Sequence, residues 1–245
     1  HTISALNAQN CPVVGLDNFS DYYDISLKEA RLEQIVSPNF NVYPVDMVDK
    51  KALRELFKNE RPTHVIHLAA QAGVRYSLEQ PGEYVQSNIT GVLNLLETMK
   101  EFPVEHCLYA SASRVYGGND KRPFSEADRV DSPLNMYAVT KKTNELMAHA
   151  YAHLFKIPLT GLRFFTVYGP WGRPDMAPYL FAKAIFEGRP INVFNHGDML
   201  RDFTYVGDAG TVVLTSVGST NYIPYNEANP LEMGPGNRAD VYVVF

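Results

Sequence analysis

Residues 106–117 read HCLYASASRVYG, where an apolar strand start runs into small and hydroxylated residues and then into a turn that contains glycine. Segment 135–142, NMYAVTKK, follows it, and segment 159–170, LTGLRFFTVYGP, comes next. We interpret the first and third segments as strands that end in loops, and the second as the start of a helix. In an open α/β sheet, ligands bind at the carboxyl ends of the strands. The three segments together predict a ligand site where these strands end.

Tyr137 and Lys141 are the most informative pair in this region. They stand four residues apart, so they share one face of the predicted helix. A cation near a phenol favours the phenolate and lowers the tyrosine pKa from its usual value of about 10. A tyrosine tuned in this way can take a proton from an alcohol. An amphipathic helix with a packed tyrosine and a solvated lysine has the same spacing, and the flanking segments favour the catalytic interpretation.

Strand and helix signals alternate along the chain, which predicts an α/β fold with a parallel sheet and helices on both faces. A capping box of Ser26 and Glu29 predicts a helix that runs to about Val36, and apolar spacing predicts another helix over 84–100. Beyond Gly169 the alternation weakens and proline and glycine become frequent, which predicts a smaller, loop-rich region. Strands are predicted at 13–17, 41–45, 64–68 and 159–164.

Composition excludes several classes of protein. The chain has 245 residues, 45% of them hydrophobic and 20% charged, which is ordinary for a globular protein. Its net charge of −5 offers no basic field for nucleic acid. No apolar run approaches the roughly 18 residues that span a bilayer, and cysteine and histidine show no metal-ligand spacing. We expect no nucleic acid, no membrane and no metal as partners. Cys11 and Cys107 are expected to be buried free thiols, so we predict a reducing, cytoplasmic location.

Four further segments carry a family resemblance: 17–24, 74–77, 168–176 and 201–205. With the segments above, they make the chain resemble an extended short-chain dehydrogenase/reductase of the NAD-dependent epimerase/dehydratase family, and within it the UDP-glucuronate 4-epimerases. The resemblance covers roughly residues 1–210. It implies a Rossmann-like, doubly wound parallel sheet with a smaller C-terminal substrate domain, and NAD as the cofactor.

The two ends of the sequence depart from this family pattern. No Gly-x-x-Gly-x-x-Gly stretch occurs, and residues 1–7 resemble the helix that follows such a loop. We therefore expect an N-terminal truncation, in which the first strand and the Gly-rich loop are missing. Residues 1–165 are interpreted as an incomplete NAD-binding domain. Residues 166–245 are interpreted as a partial substrate-binding region with a divergent tail.

The resemblance also implies contacts to the cofactor at several strand ends. Asp17 would hydrogen-bond the adenosine ribose and favour NAD over NADP, and Asp46 would hold the adenine edge. A capping or turn aspartate is the alternative for both. Asn88 would brace the active site, or it is a surface asparagine. The implied set is Asp17, Asn18, Asp46, Met47, Leu68, Ala69, Ala70, Gln71, Asn88, Tyr137, Lys141 and Phe164, with simple strand packing as the alternative at 68–70.

The catalytic set has one departure from the epimerase pattern. That pattern places Ser or Thr four residues before the tyrosine of Val-Tyr-Gly, where this chain has Ala112. Its neighbours Ser111 and Ser113 are the remaining hydroxyl candidates, so the predicted catalytic residues are Tyr137, Lys141, Ser111 and Ser113. Dehydratases and decarboxylases of the group carry an acidic residue two before the same tyrosine. Arg114 stands there, which favours epimerisation.

Forked guanidinium donors suit the carboxylate and the diphosphate of a nucleotide-sugar acid. The resemblance implies that Thr166 and Arg173 hold the sugar carboxylate and that Arg201 grips the diphosphate, with Arg75 as a further substrate candidate. A surface salt bridge is the alternative for each arginine.

The function that follows is NAD-dependent isomerisation of a UDP-sugar, from UDP-glucuronate to UDP-galacturonate at C4 through a keto intermediate. A homodimer formed through the helices at 84–100 and 136–153 is also implied. One alternative is a catalytically impaired fragment or pseudoenzyme, which Ala112 and the missing loop favour. A second alternative is a UDP-glucose 4-epimerase, which the run Trp171-Gly172-Arg173 disfavours.

Overall fold

A parallel sheet of six strands organises the part of the chain that the structure describes. The computed structural model describes residues 1–121, 123–193, 195–198 and 200–210, and the backbone of Val241–Val244. Across the large sheet the strand order is β2-β1-β8-β3-β4-β5, and all neighbouring strands are parallel. Strands β6 and β7 form a separate two-stranded parallel sheet. The strands are β1 (Val13–Asp17), β2 (Phe40–Pro44), β3 (His64–His67), β4 (His106–Ala112), β5 (Leu159–Phe164), β6 (Thr166–Tyr168), β7 (Phe203–Tyr205) and β8 (Val241–Val244).

Helices connect most of these strands, so the predicted alternation is observed. They are α1 (Thr2–Ala8), α2 (Ser26–Glu33), α3 (Lys50–Glu60), α4 (Tyr76–Glu79), α5 (Pro81–Tyr84), α6 (Gly91–Glu101), α7 (Met136–Phe155) and α8 (Ala177–Phe186). A π-helical segment, Val85–Thr90, joins α5 to α6, and 3-10 segments occupy Ser113–Tyr116 and Asn195–Gly197. Within the described ranges, none of the helices combines the length and the apolar character needed to cross a bilayer.

Helices cover both faces of the large sheet, because adjacent strand residues point to opposite sides. Val65 packs with Phe57 of α3 in one cluster of buried residues. The next residue, Ile66, packs with Leu6 of α1 in a second cluster. All four side chains are almost completely buried. This two-sided burial explains why the parallel strands carry nearly continuous apolar runs.

The central position of the sheet is occupied by β8. From the sequence we expected the first strand to be missing. We assigned residues 241–244 to the partial substrate-binding region, 166–245. In the structure their backbone lies between β1 and β3, paired with Val13–Leu16 on one side and His64–His67 on the other. The facing edges of β1 and β3 carry backbone N–H and C=O groups that need hydrogen-bond partners. The sequence Val-Tyr-Val-Val has high strand propensity, so it is suited to supply them. The other residues of 211–245 lie outside the described ones, and the domain division stays a prediction.

Two predicted helices differ from the observed ones. The capping box is wrong: α2 begins at Ser26, and it is the carboxylate of Asp24 that accepts the Ser26 backbone N–H at 3.0 Å. The helix also ends at Glu33, short of Val36. The continuous helix expected over 84–100 is interrupted by the π segment at Val85–Thr90, a feature that often marks functional sites.

Helix α7 carries a stripe of buried polar residues, Thr140, Lys141 and Asn144, each at most 2% exposed. The Lys141 ammonium donates to the carbonyl of Ala110 in β4 at 2.7 Å. Asn144 donates to the carbonyl of Asn88 in the π segment at 2.6 Å. Because buried polar groups are costly when unpaired, these bonds fix the position of α7 against both neighbours.

Burial lowers the pKa of Lys141 from 10.5 to about 8. At a pH between about 8 and 10.5, Lys141 is protonated in the unfolded chain and deprotonated in the folded protein. The unfolded state then binds more protons, so this group makes stability rise with pH above about 8. Below pH 8 the buried ammonium remains charged and opposes folding.

Replacing Lys141 should therefore change the pH dependence of stability. We expect the free energy of unfolding of the wild type, minus that of Lys141→Met, to rise by up to about 2 kcal/mol between pH 8 and pH 10. Denaturant titrations at several pH values measure this difference, with Lys51→Met on the exposed side of α3 as the matched control. A difference that stays constant or falls over this range would contradict the burial of a charged Lys141.

Candidate active site

The first turn of α7 places Tyr137 above the end of β4. Asn135 caps this helix, because its side-chain oxygen accepts the backbone N–H of Ala138 at 2.9 Å. The ring of Tyr137 lies edge-on to that of Tyr84, with 6.3 Å between the ring centroids. The Lys141 ammonium lies 6.0 Å from the centroid of the Tyr137 ring. The predicted proximity of cation and phenol is therefore present.

The pKa of Tyr137 departs from the sequence expectation. Burial raises this pKa above its usual value, and the guanidinium groups of Arg173 and Arg114 lower it by less. The sequence predicted that Lys141 would lower it. Instead, the Lys141 ammonium is directed at the Ala110 carbonyl, and burial disfavours its own charge. The expected lowering is wrong because burial dominates, and the cations that act on Tyr137 are the two arginines.

Asn88 anchors the loop that follows β3. Its side chain accepts the backbone N–H of Gln71 at 2.7 Å and donates to the Gln71 carbonyl at 3.0 Å. It also donates to the hydroxyl of Thr140 on α7 at 3.0 Å. At 1% exposure Asn88 is not a surface residue. Asn88 therefore joins the loop after β3 to α7, and its role in bracing an active site stays a prediction.

The serine candidates occupy different environments. Ser111 is 3% exposed, and its hydroxyl donates to a carboxylate oxygen of Glu145 at 2.6 Å. That bond competes with a catalytic role for Ser111. Ala112 ends β4 and is 6% exposed, and the half-buried Ser113 opens the 3-10 segment after it. The catalytic roles predicted for Ser111 and Ser113 both stay predictions.

A partly buried ion pair lies next to the turn after β4. Arg163 of β5 donates to both carboxylate oxygens of Glu145, at 2.8 and 2.9 Å. Burial raises the Glu145 pKa, but the hydrogen bonds from Arg163 and Ser111 outweigh it and hold the pKa below its ordinary value. The Tyr116 hydroxyl lies 3.2 Å from Arg163, and the Tyr116 ring stacks on Phe124 with 4.5 Å between centroids. These contacts make the turn after β4 a rigid support.

The predicted substrate arginines differ in their partners. Arg173 makes a two-pronged ion pair with Asp175, with distances of 3.0 and 2.9 Å. Tyr22 donates to the same carboxylate at 3.1 Å. Arg201 precedes β7 and is exposed, and Arg75 is exposed at the start of α4. Of these three arginines, Arg173 alone acts on the Tyr137 pKa.

Thr166, the other predicted carboxylate contact, opens β6. Its backbone N–H donates to the carbonyl of Asp202 at 3.2 Å, which joins β6 to the segment before β7. Arg201 stands next to Asp202 in the sequence, so this contact brings Thr166 and Arg201 to the same end of the small sheet.

The predicted adenosine contacts gather at the ends of β1 and β2. Asp17 ends β1, and its Oδ1 accepts the Phe19 backbone N–H at 2.6 Å and the Lys28 ammonium at 2.9 Å. Asn18 donates to the Asp46 carboxylate at 2.9 Å, so the structure brings these two residues together. Met47 is 7% exposed and packs in the core.

The remaining cofactor candidates follow β3 or end β5. Ala69 packs against the first core cluster, and Leu68 and Phe164 pack against the second. Ala70 and Gln71 are half-buried in the loop that Asn88 anchors. Packing therefore accounts for part of the pattern at 68–70, in agreement with the alternative of simple strand packing.

Sequence reasoning missed three residues at this site. Asp175 neutralises Arg173, and its position two residues after the arginine was an available signal. Glu145 is four residues after Lys141, but its partner Arg163 comes from another strand. His67 is 3% exposed, and neither ring nitrogen has a hydrogen-bond partner among the described residues. Burial, and then Lys141, lower the His67 pKa to about 3, so it is neutral. No cluster of metal-ligating side chains occurs among the residues described.

Comparison with known proteins shows the family of the chain. The profile of the NAD dependent epimerase/dehydratase family matches residues 1–226. Protein CapI of Staphylococcus aureus is 48% identical over 245 residues, which cover 100% of this chain and 73% of CapI. UDP-glucuronate 4-epimerase 4 of Arabidopsis thaliana is 52% identical over 212 residues, covering 85% of this chain and 48% of the relative. A probable UDP-glucuronate 4-epimerase of Rhizobium meliloti is 49% identical over 218 residues, and the chain spans 63% of its length.

Solved structures show the same architecture. UDP-glucuronic acid 4-epimerase from Bacillus cereus, in complex with UDP-glucuronic acid and NAD, superposes with a TM-score of 0.81 at 30% identity, covering 100% of this chain and 72% of that one. UDP-glucose 4-epimerase from Thermotoga maritima, solved with UDP-glucose, gives a TM-score of 0.77 at 26% identity, covering 88% of this chain and 68% of that one. These matches confirm the predicted Rossmann-like fold class and NAD as the cofactor of the family. The chain belongs to the NAD dependent epimerase/dehydratase family.

Proposed function

We propose that the protein is a nucleotide-sugar epimerase that uses NAD to convert UDP-glucuronate to UDP-galacturonate at C4. The observation that carries this proposal is a half-buried tyrosine, Tyr137, with the Lys141 ammonium 6.0 Å from its ring centroid and with the guanidinium groups of Arg173 and Arg114 acting on its pKa. This arrangement joins a proton acceptor to groups that attract an anionic sugar. Relatives described as UDP-glucuronate 4-epimerases support the same substrate.

The donors and acceptors at the strand ends fit NAD. The Asp17 carboxylate at the end of β1 can accept bonds from ribose hydroxyls, and a carboxylate there disfavours a 2′-phosphate. Asn18 and Asp46, joined by a hydrogen bond, offer amide and carboxylate edges to an adenine. Gln71, held by Asn88 at both backbone groups, fixes the loop along which the dinucleotide would cross. We propose that Met47, Leu68, Ala69, Ala70 and Phe164 complete the cofactor surface.

NAD supplies a site that accepts a hydride from the sugar and returns it. The protein's own contribution is to bind, orient and move a proton. In its phenolate form, Tyr137 takes the proton of the C4 hydroxyl and becomes a phenol, and it gives the proton back when the hydroxyl is restored. Arg173 and Arg114 lower its pKa against the opposing effect of burial. Ser113 is the candidate to share this proton, since the Ser111 hydroxyl already bonds Glu145.

The two anionic groups of the substrate require separate cations. We propose that Arg173 and Thr166 hold the sugar carboxylate and that Arg201 holds the diphosphate, with Arg75 at the outer edge. Arg173 is now paired with Asp175, so a carboxylate must share or displace that partner. A charge-assisted, two-pronged contact discriminates a sugar acid from a neutral sugar.

A second candidate function is supported by Ala112. Its buried methyl group stands where the epimerase pattern has a hydroxyl, which favours a nucleotide-sugar-binding protein that does not turn over its ligand. A turnover assay separates the two candidates, because both bind UDP-glucuronate and one alone forms UDP-galacturonate.

We also propose that the protein is a homodimer formed through the helices at 84–100 and 136–153. Leu146 of α7 is 58% exposed and Leu93 of α6 is 40% exposed. Apolar side chains on two adjacent helices form the kind of surface that a second copy covers.

The Tyr137 proposal is tested by Tyr137→Phe, which keeps the ring and removes the phenol. We expect the NAD-loaded wild type to form UDP-galacturonate and the variant to lose about 10²–10⁴-fold in turnover. Chromatographic separation of the two UDP-sugars measures the rate, with Tyr179→Phe on α8 as the control. If Tyr137→Phe retains more than half of the wild-type rate, Tyr137 is not the base. A wild type that binds UDP-glucuronate and forms no product supports the second candidate.

The carboxylate proposal is tested by Arg173→Ala. We expect the dissociation constant to rise at least about tenfold for UDP-glucuronate and less than about threefold for UDP-glucose, because only the acid can pair with the guanidinium. Asp175→Asn keeps the guanidinium and should keep the preference for the acid. Equal losses on both sugars with Arg173→Ala would remove Arg173 from the carboxylate site and favour a neutral-sugar epimerase.

The dimer proposal is tested by Leu146→Glu, which places a charge in the proposed interface. We expect a dimeric wild type and a variant that dissociates to the monomer, as measured by sedimentation equilibrium. Val36→Glu is the control, since Val36 is 94% exposed outside both helices. A monomeric wild type, or a variant that remains dimeric, would exclude this interface.

A further inference from the structure

The loop between β6 and α8, residues 169–176, carries Arg173 and begins with two unusual backbone conformations. Gly169 has a φ of 147°, which glycine adopts readily because it lacks a Cβ. Trp171 has a φ of 63°, in the left-handed region that bulky side chains seldom adopt. A residue keeps such a conformation only when its surroundings hold it there. The backbone of Trp171 therefore needs a partner that fixes it.

Arg31 of α2 is that partner. Its Nε and Nη2 both donate to the Trp171 carbonyl, at 3.0 and 2.7 Å. Its Nη1 donates to the Tyr23 hydroxyl at 2.7 Å, and the guanidinium lies 5.4 Å from the centroid of the Tyr23 ring. A planar guanidinium that is bonded on two sides has little freedom to turn, so it holds the carbonyl in one position.

The helix that carries Arg31 is itself tied to the large sheet. Lys28 stands three residues before Arg31, so the two side chains lie on the same face of α2. The Lys28 ammonium donates to the Asp17 carboxylate at the end of β1, at 2.9 Å. It also lies 5.6 Å from the centroid of the Tyr23 ring, the ring that Arg31 contacts. The anchor of Trp171 is therefore connected to the end of β1.

The other end of the loop is held from the same side of the molecule. The Tyr22 hydroxyl donates to the Asp175 carboxylate at 3.1 Å, and that carboxylate accepts two hydrogen bonds from Arg173. The Tyr22 ring packs on Tyr76 with 5.0 Å between the ring centroids. Arg173 thus lies between two anchored residues, Trp171 before it and Asp175 after it.

We propose that Arg31 is a positioning residue that holds the loop 169–176 so that Arg173 is directed at the carboxylate of the sugar. This inference rests on the proposed function, which assigns the sugar carboxylate to Arg173. Arg31 acts through the Trp171 carbonyl, without a contact to the ligand. A guanidinium grips a carboxylate through two parallel hydrogen bonds, which tolerate little displacement. A loop released from Arg31 would therefore lose part of its preference for the sugar acid.

The anchor can be tested without a ligand, because Trp171 is the single tryptophan of the chain and its fluorescence reports this loop. We expect time-resolved anisotropy to show more nanosecond motion of Trp171 in Arg31→Met than in the wild type, since methionine cannot donate to the carbonyl. Arg31→Lys keeps a donor and should give an intermediate result. Arg129→Met, at a side chain that is 95% exposed, should behave as the wild type. Unchanged motion of Trp171 in Arg31→Met would overturn the anchor.

Calorimetry on the NAD-loaded protein tests the consequence for the substrate. We expect Arg31→Met to weaken UDP-glucuronate at least about fivefold and UDP-glucose less than about twofold, because the loss acts through the carboxylate contact. Arg31→Lys should recover part of this loss. In an Arg173→Ala background, Arg31→Met should change the affinity for UDP-glucuronate by less than about twofold, since the residue that it positions is gone.

The contrary outcomes address separate statements. Equal weakening of both sugars by Arg31→Met, or a full effect in the Arg173→Ala background, would overturn the positioning role. If Arg173→Ala alone weakens both sugars equally, the proposed carboxylate site fails, while greater motion of Trp171 in Arg31→Met would still support the anchor. Should Arg31→Met not fold, Arg31→Lys decides the question by the same two measurements.

Discussion

The burial of one ammonium group determines how this site is built. Lys141 is 2% exposed, and its bond to the Ala110 carbonyl holds α7 at a fixed height over the end of β4. A buried cation tolerates few alternative arrangements, because any loss of its partner costs several kcal/mol. The register of α7 then sets the position of Tyr137, one turn before Lys141. The turn that carries Arg114 is held against the same helix through the bond between Ser111 and Glu145.

Two electrostatic effects act on the Tyr137 pKa in opposite directions. Burial of Tyr137 favours its neutral form, and the surrounding guanidinium groups favour the phenolate. In the proposed complex, an anionic substrate would change this balance, because it would place a carboxylate beside the same cations. The tyrosine is therefore coupled to the charge of the ligand as well as to its shape. Before a ligand binds, Asp175 already neutralises Arg173, so part of the positive charge that acts on Tyr137 is compensated.

Local features of this site could be predicted from sequence, and features that depend on burial could not. The spacing of Tyr137 and Lys141 predicts their proximity because helix geometry is local. The direction of the Tyr137 pKa shift depends on burial by distant segments, which no spacing encodes. The hydrogen bond from Ser111 to Glu145 could not be predicted either, because Glu145 belongs to the next helix. The strands at 13–17 and 159–164 were predicted correctly, because buried parallel strands are short apolar runs between turn signals.

The position of β8 has a consequence for how the chain reaches its folded state. The centre of the sheet is formed by residues 241–244, and their partners lie at 13–16 and 64–67. These contacts span most of the sequence, so they raise the contact order of the fold and delay its completion. The pair β1–β2 and the group β3–β4–β5 can each form from nearby segments. In the structure, residues 241–244 join these two groups into one sheet, and strand edges that are still unpaired can associate with other strands.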